Sequence, residues 1–241
     1  MSVQECSMKR KTIEILMTVI LLMSALVIGQ QGSVAVTNMK SANQKPIVVI
    51  DAGHGGNDPG KVGINNALEK DINLSIAILL KKMLEAEDVE VIMTRESDKG
   101  LYDDNAKNKK VQDMKRRCEI ISKANSVVTV SIHQNSYHEE YVNGAQVFYF
   151  QHSDNAKYLA EMIQKQLQTH VQPDNKRAAK NNTSYYLLKK TDATAVIVEC
   201  GFLSNYEEAS KLVDENYQQK LAWAIHLGIL QYINGLSVLE K

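Results

Sequence analysis

From Pro46 onward, apolar and polar positions alternate between two rhythms. Short apolar runs, rich in β-branched or aromatic residues, occur at 47–50, 89–94, 127–132, 145–150, 185–188 and 195–198. Runs of this length between polar or turn-forming residues predict buried strands. Between them lie stretches with helical spacing. Leu68, Ile72, Ile76, Leu79, Leu80 and Met83 form one stripe over 68–86. Residues 111–123, 155–169, 207–213 and 217–233 predict further helices, and the polar stretch 96–110 a loop with a helical turn. Strands this apolar on both faces need helices on both sides. The pattern therefore predicts an α/β fold: a single-domain, three-layer sandwich with a mostly parallel twisted sheet flanked by helices.

The first 45 residues follow neither rhythm. Lys9, Arg10 and Lys11 precede an apolar run at 13–28, interrupted by Glu14, and Ser33-Val34-Ala35 follows. This order of basic, apolar and small-residue parts is that of an export signal. Its uninterrupted stretch, 15–28, is shorter than the roughly 20 residues that span a bilayer. Residues 1–35 are expected to be a signal peptide, with a retained N-terminal anchor as the alternative. Residues 36–45 are expected to be a linker and 46–236 the folded domain. Export places the substrate outside the cytoplasm and limits membrane contact to this segment, if uncleaved.

Composition narrows the function. The 241 residues carry 28 Lys+Arg and 28 Asp+Glu, which argues against a nucleic-acid binder that relies on a basic surface. Hydrophobic residues make up 44%, which excludes wholesale disorder. Three cysteines do not make a disulfide scaffold. Cys118 and Cys200, which survive loss of the first segment, read as buried free thiols, with one bridge between them as the alternative.

Polar chemistry gathers where the strands end. In open α/β sheets, ligands bind beyond the carboxyl ends of strands. His54 follows the first strand inside Asp51-Ala52-Gly53-His54-Gly55-Gly56, and His133 ends the strand at 127–132. Each alone fits a surface turn or a hydrogen-bonded core histidine; together they suggest a metal. Glu69 is a candidate third ligand, but Asn66-Ala67-Leu68-Glu69 also fits a capping box. Glu199 follows four apolar residues, a setting that raises a carboxyl pKa and suits a general base. A buried ion pair is its alternative. His138, His152, His170 and His226 read as surface positions, and Trp223, Tyr185 and Tyr186 as core or groove wall.

In combination these motifs resemble the zinc-dependent N-acetylmuramoyl-L-alanine amidases. The resemblance spans residues 46–234. It rests on Val49-Ile50-Asp51-Ala52-Gly53-His54-Gly55-Gly56 with Asp58-Pro59-Gly60, Glu69-Lys70 with Asn73-Leu74, and Thr94-Arg95 with Asp98 and Arg117. Ser131-Ile132-His133 with Asn135, and Glu199-Cys200-Gly201-Phe202-Leu203-Ser204-Asn205, complete it. The resemblance implies Zn²⁺ on His54, Glu69 and His133, with Glu199 as the catalytic carboxylate. It places Asn135 and Arg177 along the substrate groove. It implies peptidoglycan as substrate, cut between N-acetylmuramic acid and L-Ala, and leaves room for an activating protein partner. The stretch Gly144-Ala145-Gln146-Val147-Phe148-Tyr149-Phe150 and the single catalytic domain are similar to the germination-specific amidases, which trim spore cortex before muramic-δ-lactam formation. The alternatives are a vegetative wall autolysin, a non-catalytic or partner-activated peptidoglycan-binding module, and an iron oxygenase with two histidines and one carboxylate. The body without residues 1–35 stays almost neutral, so substrate choice must lie in the groove and the metal.

Overall fold

The computed structural model describes Met17 and residues 45–239. The expected signal segment at 1–35 and linker at 36–45 lie outside the described residues, apart from Met17 and Lys45. The chain from Pro46 onward forms one compact unit. Among the described residues, no helix is long and apolar enough to cross a membrane.

One sheet runs through the described residues. Its strands are β1 (Ile47–Ala52), β2 (Glu90–Met93), β3 (Val128–Asn135), β4 (Gln146–Phe150), β5 (Lys180–Asn182) and β6 (Ala195–Phe202). They lie in the order β2-β1-β3-β6-β4-β5. Every pairing is parallel except β4 with β6. The helices are α1 (Glu69–Ala86), α2 (Lys109–Lys123), α3 (Asp154–His170), α4 (Tyr186–Lys190), α5 (Tyr206–Leu212) and α6 (Glu215–Leu239).

Alternation along the strands divides the core in two. Val48, Ile50, Val130, Ile132, Val196 and Val198 face α1, α3 and α6 in the larger core. Val49, Phe148, Ala195 and Ile197 face the other way, where Ile121 of α2 and Leu187 and Leu188 of α4 cover them. The expected three-layer sandwich is thus observed, with one antiparallel junction. Cys118 and Cys200 are buried free thiols.

Three expectations fail. The strand expected at 185–188 is helix α4, and the real edge strand, β5, lies upstream in a polar segment. Asn182 Oδ1 accepts from the amides of Ser184 and Tyr185 and turns the chain. A single helical turn then buries Leu187 and Leu188 together while Lys189 and Lys190 stay exposed. Four consecutive apolar residues fit either structure, and the turn decides.

Among the histidines expected at the surface, His138, His152 and His170 are exposed. His226 is not. It is buried on α6, and neither ring nitrogen has a hydrogen-bond partner. Burial lowers its pKa, and the charge of Glu87 offsets this only in part. The unfolded chain then takes up a proton near pH 6.5 that the folded chain resists, so stability falls as pH drops below that value. His226→Phe is expected to remove this slope. Thermal melts between pH 7 and 5 should show the wild-type midpoint falling roughly 2–5 °C more than the variant's. Parallel curves would contradict this. Trp223, expected as core or groove wall, is 42% exposed and meets His170 edge-on.

Candidate metal centre and cleft

The site forms where β1, β3 and β6 end. Register places Asp51 beside Ser131 and His133 beside Glu199. All four belong to the alternation class of Val49 and Ile197, so they share the face that α2 and α4 cover. A cleft with about 140 Å³ of space opens there. His54, Asp58, His133, Tyr185 and Glu199 line it.

The loop after β1 supplies His54 in a left-handed conformation, with φ at 62°. Such a backbone is costly for a residue with a Cβ and must be held from outside. Two arginines hold it. Arg95 donates to the carbonyls of Ala52 and Gly53, and Arg117 to those of Ala52 and His54. Arg117, 1% exposed, also meets Asp51 at 2.6 Å and Asp113 at 2.5 Å. Burial alone would raise the Asp51 pKa. The Arg117 charge and the hydroxyls of Ser131 and Thr94 bring it down to about 2. A permanent buried ion pair therefore lies beneath the loop.

Three side chains converge above it. His54 Nε2 lies 3.2 Å from Glu69 Oε2, and His133 Nδ1 lies 2.9 Å from Glu69 Oε1. One donor atom from each residue falls within 4.8 Å of the others, a group that could hold a metal ion. Asp58 Oδ2 sits 3.0 Å from His54 Nδ1 and leaves Nε2 to face the group. Carboxylates often orient metal-binding imidazoles this way. Glycines make the room. A Cβ on Gly53 would sit 2.3 Å from the His133 ring, and one on Gly60 would sit 2.5 Å from Glu69 Oε2.

Glu69 opens α1, yet it does not cap it. The N-cap residue is Leu68, and no side chain caps there. Instead the Glu69 carboxylate accepts from the amides of Lys61 and Gln134. It turns toward the histidines because they and these amides satisfy it in a buried position. Burial opposes its ionisation, but the bonds to His133 and His54 hold its pKa well below the carboxylate range. His133 is raised in turn: burial pulls it down, and the Glu69 bond and charge more than offset that.

Glu199 differs from Glu69. It is 7% exposed, and its Oε2 has no hydrogen-bond partner. Oε1 accepts from the Tyr185 hydroxyl at 3.3 Å. Burial pushes its pKa up, and the Glu69 charge adds to this against the opposing pull of His133. The alternative, a buried ion pair with Lys or Arg, is not found among the described residues.

The structure brings together His54, Glu69, His133 and Glu199. It does not bring Asn135 or Arg177 into the same cleft. Asn135 ends β3 beside Phe202, and its side chain accepts from the Ser136 amide. Arg177 donates to the Asn143 carbonyl and to Gln146, and lies 4.8 Å over the Phe202 ring. Tyr185 and Tyr186, read as core or groove wall, line the cleft. Sequence reasoning missed the roles of Asp58 and Arg117. Arg117 was findable, since it shares the helical stripe of Met114, Cys118 and Ile121.

Comparisons with known proteins show the family and the fold. The profile of the family described as N-acetylmuramoyl-L-alanine amidase matches residues 48–231. A germination-specific N-acetylmuramoyl-L-alanine amidase of Bacillus subtilis is 36% identical over 190 residues, covering 77% of this chain and 79% of that protein. The amidase LytC of the same organism is 31% identical, covering 83% of this chain and 39% of LytC. Among solved structures, the CwlD amidase of Clostridioides difficile, determined in complex with the GerS lipoprotein, superposes with a TM-score of 0.77. It is 40% identical, and the match covers 79% of this chain and 99% of CwlD.

Proposed function

The chain belongs to the N-acetylmuramoyl-L-alanine amidase family and is a peptidoglycan amidase; from that premise we propose that it is a zinc enzyme of the spore cortex, with His54, Glu69 and His133 as ligands and Glu199 as the catalytic carboxylate. The observation that carries this reading is the unpartnered, buried Oε2 of Glu199 beside a converging His/Glu/His group. Two imidazoles and one carboxylate suit Zn²⁺ and leave a position open for water. An iron oxygenase site normally has a histidine and its carboxylate close together on one strand; here His54 precedes a loop and Glu69 opens a helix.

Bound zinc would lower the pKa of its water and polarise the lactyl carbonyl. The other steps belong to the chain. Asp58 holds His54 in its orientation, and Arg95 and Arg117 hold the loop that presents it. Glu199, desolvated and basic enough to accept a proton, takes one from the attacking water. It returns that proton to the amide nitrogen as the C–N bond breaks. The products are the lactyl carboxylate of N-acetylmuramic acid and a stem peptide with a free L-Ala amine.

The cortex assignment rests on the likeness to the germination-specific amidase and to CwlD. We extend it to an exported protein that works with a protein partner, since CwlD was solved with a lipoprotein. The test is incubation with purified cortex and vegetative-wall peptidoglycan plus zinc, with and without such a partner, followed by mass analysis of the muropeptides. Release of free stem peptides, faster from cortex, is the expected result. Binding to sacculi without release, under every condition, would favour the peptidoglycan-binding module instead. Faster release from vegetative wall would favour an autolysin.

A further inference from the structure

We propose that Tyr185 is a positioning residue for Glu199, fixing which carboxylate oxygen faces the reacting atoms. The proposal rests on the reading of Glu199 as the catalytic base. Among the described residues, the Tyr185 hydroxyl is the one hydrogen-bond donor to the Glu199 side chain. It occupies Oε1 and leaves Oε2 unpartnered. A carboxylate on three rotatable bonds, held by one oxygen, keeps the other in a defined place. Without the hydroxyl, both oxygens would be equivalent and the group free to swing.

Tyr185 is itself fixed on two sides. Its ring meets Phe148 edge-on, with centroids 5.5 Å apart. Its amide donates to Asn182 Oδ1 at 2.8 Å, within the turn that joins β5 to α4. Asn182 Oδ1 also accepts from the Ser184 amide and hydroxyl, so one side chain shapes the whole turn. Burial and the nearby Glu199 charge keep the phenol protonated, as a donor must be. The chain of contacts thus runs from Asn182 at the end of β5, through Tyr185 in the turn before α4, to Glu199 on β6. Preorganised groups of this kind hold a proton acceptor within the short range that transfer requires.

The test uses the zinc-loaded enzyme and a soluble disaccharide-peptide. Tyr185→Phe keeps the ring and its contact with Phe148 and removes only the hydroxyl. It should lower kcat by about tenfold or more while KM changes by less than about twofold. Asn182→Ala should lower kcat by less. The double variant should be no slower than Tyr185→Phe, because both changes act through one hydrogen bond. A second readout needs no activity. In the zinc-free protein, the infrared carboxyl band that vanishes in Glu199→Gln should shift in Tyr185→Phe.

An unshifted band would overturn the hydrogen bond itself. A shifted band with unchanged kcat would overturn the positioning role, and a rise in KM alone would make Tyr185 a groove wall. Additive losses in the double variant would also contradict the proposal. Wild-type turnover by Glu199→Gln would instead remove the reading on which the proposal depends.

Discussion

Glu199→Gln is expected to lower kcat by about a thousandfold, the middle of the range for loss of a general acid–base group. Glutamine keeps the shape of the side chain and can still accept from Tyr185 through its carbonyl oxygen. It cannot take a proton from water or return one to the leaving amine. No hydrogen bond is lost at Oε2, because none is made there. The substitution should therefore leave the fold and the bound zinc intact. Its effect on stability has a definite sign. Burial raises the folded-state pKa of Glu199, so the folded chain holds that proton more tightly than the unfolded one. Stability is thus lost as pH rises above the unfolded carboxyl value, near 4.3. A neutral amide removes this penalty, and the zinc-free variant should melt at or above the wild-type temperature at pH 7. Initial rates, metal analysis and thermal melts check the three statements. Turnover at the wild-type rate would sink the role assigned to Glu199.

Glu69→Gln is expected to abolish both activity and stable zinc binding. The carboxylate faces both histidines, and its charge is the only negative one in the donor group. A neutral amide is a poor ligand for zinc, which prefers anionic oxygen or neutral imidazole. After dialysis the wild type should retain about one equivalent of zinc, and the variant far less than half. His54→Ala should behave in the same way. In the glutamine variant the carbonyl can accept from only one of the Lys61 and Gln134 amides, and the side-chain NH2 then faces the other, so a lower melting temperature should accompany the loss of zinc. A full equivalent of zinc in Glu69→Gln, with activity retained, would remove Glu69 from the ligand set.

Much of this was legible before any coordinates. The rhythm of apolar positions specified five of the six strands, because a strand buried on both faces leaves a continuous β-branched run. The three-layer architecture followed from that. The edge strand β5 was not legible: Lys180–Asn182 is polar and exposed, and only its pairing with β4 makes it a strand. Helix α4 was misread because the residues 185–188 carry no period of their own, and the Asn182 turn sets their conformation. His226 was misread because helical periodicity places a residue on a face without saying how deeply that face is covered.

The site divides in the same way. Sequence by itself determined that two histidines and the carboxylate of Glu199 stand at strand ends, since strands project such residues into the crevice beyond a parallel sheet. The room that Gly53 and Gly60 make for His133 and Glu69 came from the structure. Sequence left Glu69 between helix cap and ligand. Only the tertiary structure showed that its side chain makes no cap, because its main partners are His54, His133 and the amides of Lys61 and Gln134. Apart from the longer contact from Asn73 Nδ2, one helical turn on, these partners are all distant in the chain. The same holds for Arg117, which reaches β1 from α2, and for Tyr185, which reaches Glu199 from the turn before α4. Local pattern records what each residue contributes to its own element. Which groups satisfy one another in a buried crevice is settled by packing between elements.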